Sequence, residues 1–222
     1  IDLMYYAVDV AFICETFFND TYDDVAIEHY SIFRKNRLKR KGGGVAIIAR
    51  NIFVCSQTAR NSNDFELLWM SILIDKLTYL CGVVYHPPNP RYNFQDLLDQ
   101  LDADITYFVN DQSVVYANII LGGDFNGLAN NDIVASTGLI RINKMPTRGS
   151  KVLDNVYAYN NGWNDCLAVV SSVLSDHKAI ILLSNKDKKF SIVAKKKTIR
   201  HFRLNGKKSI YNYLSNVCYE NL

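Results

Sequence analysis

Ile119-Ile120-Leu121-Gly122-Gly123-Asp124-Phe125-Asn126-Gly127 decides how the chain is read. Three apolar residues in a row before Gly-Gly describe a fully buried strand leaving a sheet. The glycines permit a sharp turn and leave room for a ligand to approach. Asp124 and Asn126 are two apart, so in extended geometry they point to the same side. An acid and an amide at the mouth of a buried strand suit a metal ion and a phosphate oxygen. The competing reading is a polar turn in which Asp and Asn bond their own backbone.

Working outward, further strand ends carry polar groups. Residues 7–14 are mostly apolar and stop at Glu15-Thr16. Residues 67–74 and 79–85 read as a hairpin across Asp75-Lys76-Leu77-Thr78, its second strand ending in Tyr85-His86-Pro87-Pro88, where proline bars continuation. A strand over 152–157 carries Asp154, and Ser175-Asp176-His177-Lys178 feeds an apolar run over 179–183. Residues 93–109 carry the helical period, with Phe94, Leu97, Leu98, Leu101, Ile105, Phe108 and Val109 on one face and Asn93 as N-cap. That face belongs to a core. Strands spaced by long connections and at least one strong helix imply a mixed α/β fold.

The bulk numbers set bounds. A length of 222 residues, 49% hydrophobic and 21% charged, fits a globular chain with a sizeable core. No apolar run reaches bilayer-spanning length, so no membrane partner is expected. Five dispersed cysteines without a Cys-x-x-Cys argue against a disulfide framework or zinc site and for a reducing, intracellular setting. The net charge of +3 divides unevenly: residues 186–222 hold ten Lys/Arg against two Asp/Glu, and the remainder is acidic. This predicts a folded unit over 1–185 and a basic linker over 186–222, with a short helix near 207–219. The stretch 34–41 holds six basic residues before Gly42-Gly43-Gly44. It reads as a charged loop in which Arg34 and Arg37 could grip phosphates, or as a solvated face.

Glu15, Tyr85, Asp124, Asn126, Asp154, Asp176 and His177 thus each lie at or near a strand end, which predicts one polar site at a sheet rim. An oxygen-rich donor set favours Mg²⁺, with Mn²⁺ a second option.

The order of motifs resembles a known family. Cys-Glu-Thr (14–16), Gly-Gly-Gly-Val-Ala (42–46), Val-Val-Tyr-His-Pro-Pro (83–88), Gly-Gly-Asp-Phe-Asn (122–126), Pro-Thr-Arg (146–148), Val-Leu-Asp-Asn-Val (152–156) and Ser-Asp-His-Lys (175–178) occur in sequence. Together they resemble the endonuclease/exonuclease/phosphatase superfamily, and within it the apurinic-endonuclease-like domain of non-LTR retrotransposons. The resemblance implies a DNase I-like four-layer α/β sandwich, two packed mixed sheets flanked by helices. It implies a Mg²⁺-dependent DNA-nicking endonuclease that leaves a 3′-hydroxyl as primer, fused in the full-length protein to a reverse transcriptase and nuclear when acting on chromosomal DNA. It also implies roles: Glu15 and Asp176 at the metal, Asp124 on the attacking water, Asn126 and Tyr85 at the phosphate. His177 matches the catalytic histidine and Asp154 the acid that orients it. Thr147, Arg148 and Ser175 match positions lining the site and its DNA surface. The family opens with an Asn-bearing strand and a helix, and Ile1 falls near the end of that helix. A chain lacking this strand is expected to be a fragment or decayed copy with weak or no activity. Another phosphoesterase activity, such as abasic-site cleavage, and a non-catalytic nucleic-acid-binding remnant are the alternative functions.

Overall fold

The computed structural model describes residues 2–18, 25–37, 42–58, 60, 62, 64–111, 113–159, 167–171 and 175–182. The expected basic linker and its helix lie outside the described residues, as do positions 38–41 of the basic stretch.

In chain order the elements are α1 (Asp2–Tyr5), β1 (Val10–Cys14), β2 (Tyr30–Lys35), β3 (Val45–Arg50), β4 (Val54–Gln57), β5 (Glu66–Ile74), β6 (Leu77–Tyr85) and α2 (Phe94–Asn110). Then follow β7 (Tyr116–Asp124), α3 (Asn130–Thr137), β8 (Ile140–Arg141), β9 (Asp154–Ala158), β10 (Leu167–Ser171) and β11 (Lys178–Leu182). A six-stranded sheet runs β4-β5-β6-β7-β9-β8, a three-stranded sheet β1-β3-β2, and β10 pairs with β11. Only β6 and β7 pair in parallel in the larger sheet, because α2 lies between them in sequence and a parallel return needs a crossover.

The larger sheet is covered on both faces, which is why its strands read as continuous apolar runs. Leu67 and Trp69 of β5, Leu80 and Val84 of β6, and Ile119 and Leu121 of β7 face Leu97, Leu98, Leu101 and Ile105 of α2 and Ile133 of α3. The alternate residues Leu68, Met70, Ile72, Cys81 and Val83 pack between the sheets against Val45, Ile47 and Ala49 of β3, with Phe12 and Phe33 beside them. On the outer side of the smaller sheet the Tyr30 hydroxyl donates to the Val8 carbonyl at 2.7 Å, just past α1. The layers are therefore helix, sheet, sheet and a short outer helix, the DNase I-like α/β sandwich.

Local chemistry sets the details. Asn93 caps α2 by accepting from the Gln95 N–H at 3.1 Å. Asp75 and Lys76, with φ of 48° and 68°, make a two-residue turn that pairs Ile74 with Leu77 and thereby fixes the hairpin register. The expected loop over 34–41 is corrected at its start: Arg34 and Lys35 end β2, where Arg34 pairs with Ala46. Its charge made the segment look like a loop, but Tyr30 and Ile32 on one face and Phe33 on the other supply strand contacts that outweigh the tail of cations.

Candidate active site

The hairpin register carries through to a polar row. Glu66 pairs with Tyr85, Tyr85 with Asp124 and Asp124 with Asp154. Four adjacent strands thus place four polar side chains on one rung, at the end of the sheet and on the face toward the smaller sheet. Each member of the rung meets a group from elsewhere. Arg37, which follows β2, donates from Nε to Glu66 Oε1 at 2.7 Å. Tyr85 donates from its hydroxyl to Glu15 Oε1. The Asn126 N–H donates to Asp124 Oδ1 at 3.0 Å, and His177 Nδ1 lies 2.8 Å from Asp154 Oδ2.

Backbone geometry at Gly123 is what lets Asp124 reach this position. Its φ is +151°, and a Cβ there would lie 1.9 Å from the Val84 carbonyl oxygen, so only glycine allows β6 and β7 to approach this closely. Asp124 then links β7 to its neighbours: its carbonyl accepts from the His86 N–H at 2.9 Å, and its own N–H donates to Cys14 Sγ at 3.4 Å. Cys14 in turn donates to the Val84 carbonyl at 3.3 Å, and burial pushes its thiol far up, so it stays protonated. Asn126 adopts φ 46° and its carboxamide donates to the His86 carbonyl at 2.8 Å. Left-handed asparagine is tolerated because its short side chain bonds locally.

Asp154 is held from both sides. Its N–H donates to Thr147 Oγ1 at 3.1 Å, and its carbonyl accepts from Asn143 Nδ2 at 2.9 Å. The Thr147 carbonyl accepts from the Lys178 N–H at 2.7 Å, which draws the start of β11, and His177 with it, against β9. The His177 N–H also donates to Ser175 Oγ at 3.0 Å.

Burial lifts the Asp124 carboxyl to about 6; the Asn126 N–H and His177 oppose this, and the charges of Asp154 and Glu15 add to it. One ligand atom each from Asp124, Asp154 and His177 lies within 4.8 Å of the others. The donor set fits a hard divalent cation: desolvated carboxylates that repel one another are relieved by a bound positive charge. Because His177 Nδ1 is already engaged by Asp154, the carboxylate oxygens of Asp124 and Asp154 are better suited to a cation than that nitrogen.

The structure brings together Glu15, Tyr85, Asp124, Asn126, Asp154 and His177. It places the remaining expected residues differently. Asp176 is exposed and paired with Arg148, Nη2 to Oδ2 at 2.6 Å, and lies outside the group formed by Asp124, Asp154 and His177. Thr147 is fully buried and its hydroxyl serves the backbone of Leu153 and Asp154, which leaves it no surface for DNA. Ser175 is exposed with its hydroxyl turned to His177. Arg34 lies over the Phe18 ring, 5.4 Å from its centroid. Arg37 is turned inward, its side chain only 15% exposed, and is no phosphate grip on a solvated loop. Sequence reading missed Glu66 and Asn143. Glu66 was accessible: counting back from a two-residue turn at Asp75-Lys76 sets it opposite Tyr85. Asn143 sits in an irregular stretch with no periodicity to flag it.

A profile of the endonuclease/exonuclease/phosphatase family matches residues 2–177. The chain belongs to that family. Among solved structures it is similar to the endonuclease domain of TRAS1, a telomere-specific non-LTR retrotransposon, at 15% identity and a TM-score of 0.63 over 84% of this chain and 90% of that one. It is similar to D. rerio TDP2 complexed with a single-strand DNA product, at 16% identity and 0.55 over 82% and 87%. ANGEL2, a 2′,3′-cyclic phosphatase, aligns at 14% and 0.55 over 84% and 76%. No curated protein matches the sequence. At these identities the neighbours show the fold, that of hydrolytic nucleases and phosphatases. No described helix is long and apolar enough to cross a membrane.

Proposed function

We propose that this member of the family is a Mg²⁺-dependent endonuclease that nicks one DNA strand, as in a non-LTR retrotransposon whose reverse transcriptase extends the new 3′-hydroxyl in the nucleus. The observation that carries the reading is the Asp154–His177 pair set beside Asp124 on one sheet rung. In this family fold that arrangement supports phosphodiester hydrolysis. The likeness to the TRAS1 endonuclease domain and the ordered motifs favour DNA as the ester.

Each residue has a task its geometry permits. Asp124 has one oxygen held by the Asn126 N–H and the other available to accept from the attacking water and orient it. Asp154 keeps the Nδ1–H tautomer of His177, which leaves Nε2 to bind or transfer a proton at a phosphate oxygen. Asn126 has an amide hydrogen beyond the one given to His86 for the same phosphate. Tyr85, its phenol pushed well up by burial and by Glu15, stays protonated and fixes the Glu15 carboxylate. Glu15, Asp124 and Asp154 would hold Mg²⁺, which when bound stabilises negative charge on the phosphodiester.

The test is nicking of supercoiled plasmid with Mg²⁺ by the chain and by Asp124→Ala and His177→Ala. Relaxed circles whose ends a polymerase extends directly, formed by the parent and by neither variant, are expected. Nicking unchanged in both variants would remove the site from consideration. Salt-sensitive DNA binding without nicking by the parent would favour a binding remnant.

A further inference from the structure

Arg37 reaches across from the smaller sheet to the rung of the larger one. Its Nε donates to Glu66 Oε1 at 2.7 Å, and its guanidinium lies over the Tyr85 ring, 5.5 Å from the centroid. Glu66 is the direct ladder partner of Tyr85, so Arg37 grips one residue and covers its neighbour. The pair is 15% and 14% exposed, and Arg37 Nη2 is buried without a hydrogen-bond partner among the described residues. An ion pair this dry is not a surface contact of negligible worth; losing one partner strands the other.

The glycines explain how the guanidinium fits. A Cβ on Gly43 (φ +68°) would stand 2.3 Å from Arg37 Cζ and Nε. Gly44 donates its N–H to the second oxygen of Glu66 at 2.5 Å. The same two glycines hold the segment after β1: Thr16 N–H donates to the Gly44 carbonyl at 3.3 Å and Phe17 N–H to the Gly43 carbonyl at 2.9 Å. Glu15 heads that segment at φ 55°, a left-handed conformation that a glutamate does not adopt by preference and that its surroundings must impose. Those surroundings are the Tyr85 hydroxyl on its side chain and the Gly43–Gly44 contacts on its backbone. Arg37 packs against both.

We propose that Arg37 is a positioning residue: through Glu66, Tyr85 and the Gly43–Gly44 turn, it holds the Glu15 carboxylate in the orientation that binds the cation. This rests on the metal reading of Glu15 given above. Arginine is required because a planar guanidinium can bond a carboxylate and stack on a ring together, which an ammonium cannot. Arg37 and the triple glycine are then part of the site's scaffold.

Mn²⁺ titration followed by electron paramagnetic resonance tests this on the full chain, with circular dichroism confirming that each variant is folded. Arg37→Lys and Tyr85→Phe are each expected to weaken Mn²⁺ binding about tenfold, the scale of supporting-shell losses at metal sites. The double variant is expected to lose no more than either single one, because both act on Glu15 along one path. Glu66→Gln, which keeps the shape of the pair, should reproduce the loss if Arg37→Lys does not fold. DNA affinity without metal should keep its salt dependence in Arg37→Gln, which removes the charge. Parent-like Mn²⁺ affinity in folded Arg37→Lys or Glu66→Gln, losses that multiply in the double variant, or a salt slope lowered by about one phosphate contact would each overturn the proposal. A parent chain that binds no Mn²⁺ would overturn the metal reading of the site and this proposal with it.

Discussion

The two halves of the site are held in different ways. Asp124 and Asp154 lie on paired strands, one opposite the other, and the backbone ladder sets their separation before any side chain is consulted. Glu15 lies just past a strand end in a left-handed conformation, and side-chain contacts from Tyr85 set its position. His177 and Asp176 precede β11, tied back by the Thr147–Lys178 hydrogen bond. One half is made by the sheet, the other by clamps laid over it. The difference teaches where mutations should act: changes on the ladder alter chemistry with the geometry intact, and changes in the clamps alter geometry with the chemistry intact.

The sharpest way to probe the ladder half is Asp124→Asn, expected to lower nicking roughly a thousandfold as the carboxylate that orients the water is lost. The same change should stabilise the metal-free protein. The folded-state carboxyl sits at about 6, above its ordinary 3.8, so the folded form holds this proton more tightly than the unfolded form. The contribution of Asp124 to stability is therefore fullest below pH 4, declines between about pH 4 and 6, and is flat above. Thermal melts at pH 4, 6 and 8 should show that decline in the parent and its loss in Asp124→Asn, a gain of about 2–3 kcal/mol at pH 8. Added Mg²⁺ should reverse the order.

Asp154→Asn comes next. It keeps a hydrogen-bonding group beside His177 Nδ1 but removes the charge that fixes the tautomer, and single-turnover nicking should fall on the order of a hundredfold with little change in melting temperature. Asn143→Ala probes the underside of the same ladder. It removes the bonds that Asn143 makes with the Asp154 carbonyl and the Val156 N–H, at 2.9 and 2.7 Å. Because Asn143 is fully buried, chemical denaturation should show a loss of about 1–3 kcal/mol. The smallest effect belongs to an outer clamp. Arg148 and Asp176 are paired at 2.6 Å but their side chains are 50% and 68% exposed, so Arg148→Ala should change stability by less than about 1 kcal/mol. A larger loss would blur the contrast between the halves.

The same contrast explains what could be read from the sequence. The ladder half was legible because a strand buried on both faces is an apolar run, and an acid at its end stands out: Asp124 follows Ile119–Gly123, and the helix over 93–109 appears as α2 (Phe94–Asn110). The motif order carried the family, which the profile over residues 2–177 shows. Strand β4 and helix α3 were not foreseen. Val54 is exposed and β4 is four residues long, while α3 buries only Ile133 and Thr137, so neither leaves a periodic trace. Glu15, Asp176 and His177 of the clamp half were named from the sequence, but the contacts that hold that half were illegible for another reason. Whether a cation lies in solvent or against a glutamate depends on which strands adjoin, and Arg37 meets Glu66 across two sheets from 29 residues away. Charge counted along the chain showed a basic loop where the fold makes an ion pair under a tyrosine.

The central claim is that Asp154 and His177 act as one unit beside Asp124. A double-mutant cycle in single-turnover, Mg²⁺-dependent plasmid nicking tests it most directly, using Asp154→Asn, His177→Ala and the two combined. If Asp154 works only by orienting and charging His177, the double variant should be no slower than His177→Ala alone. Losses that multiply in the double variant, or a His177→Ala chain that nicks as fast as the parent, would contradict it.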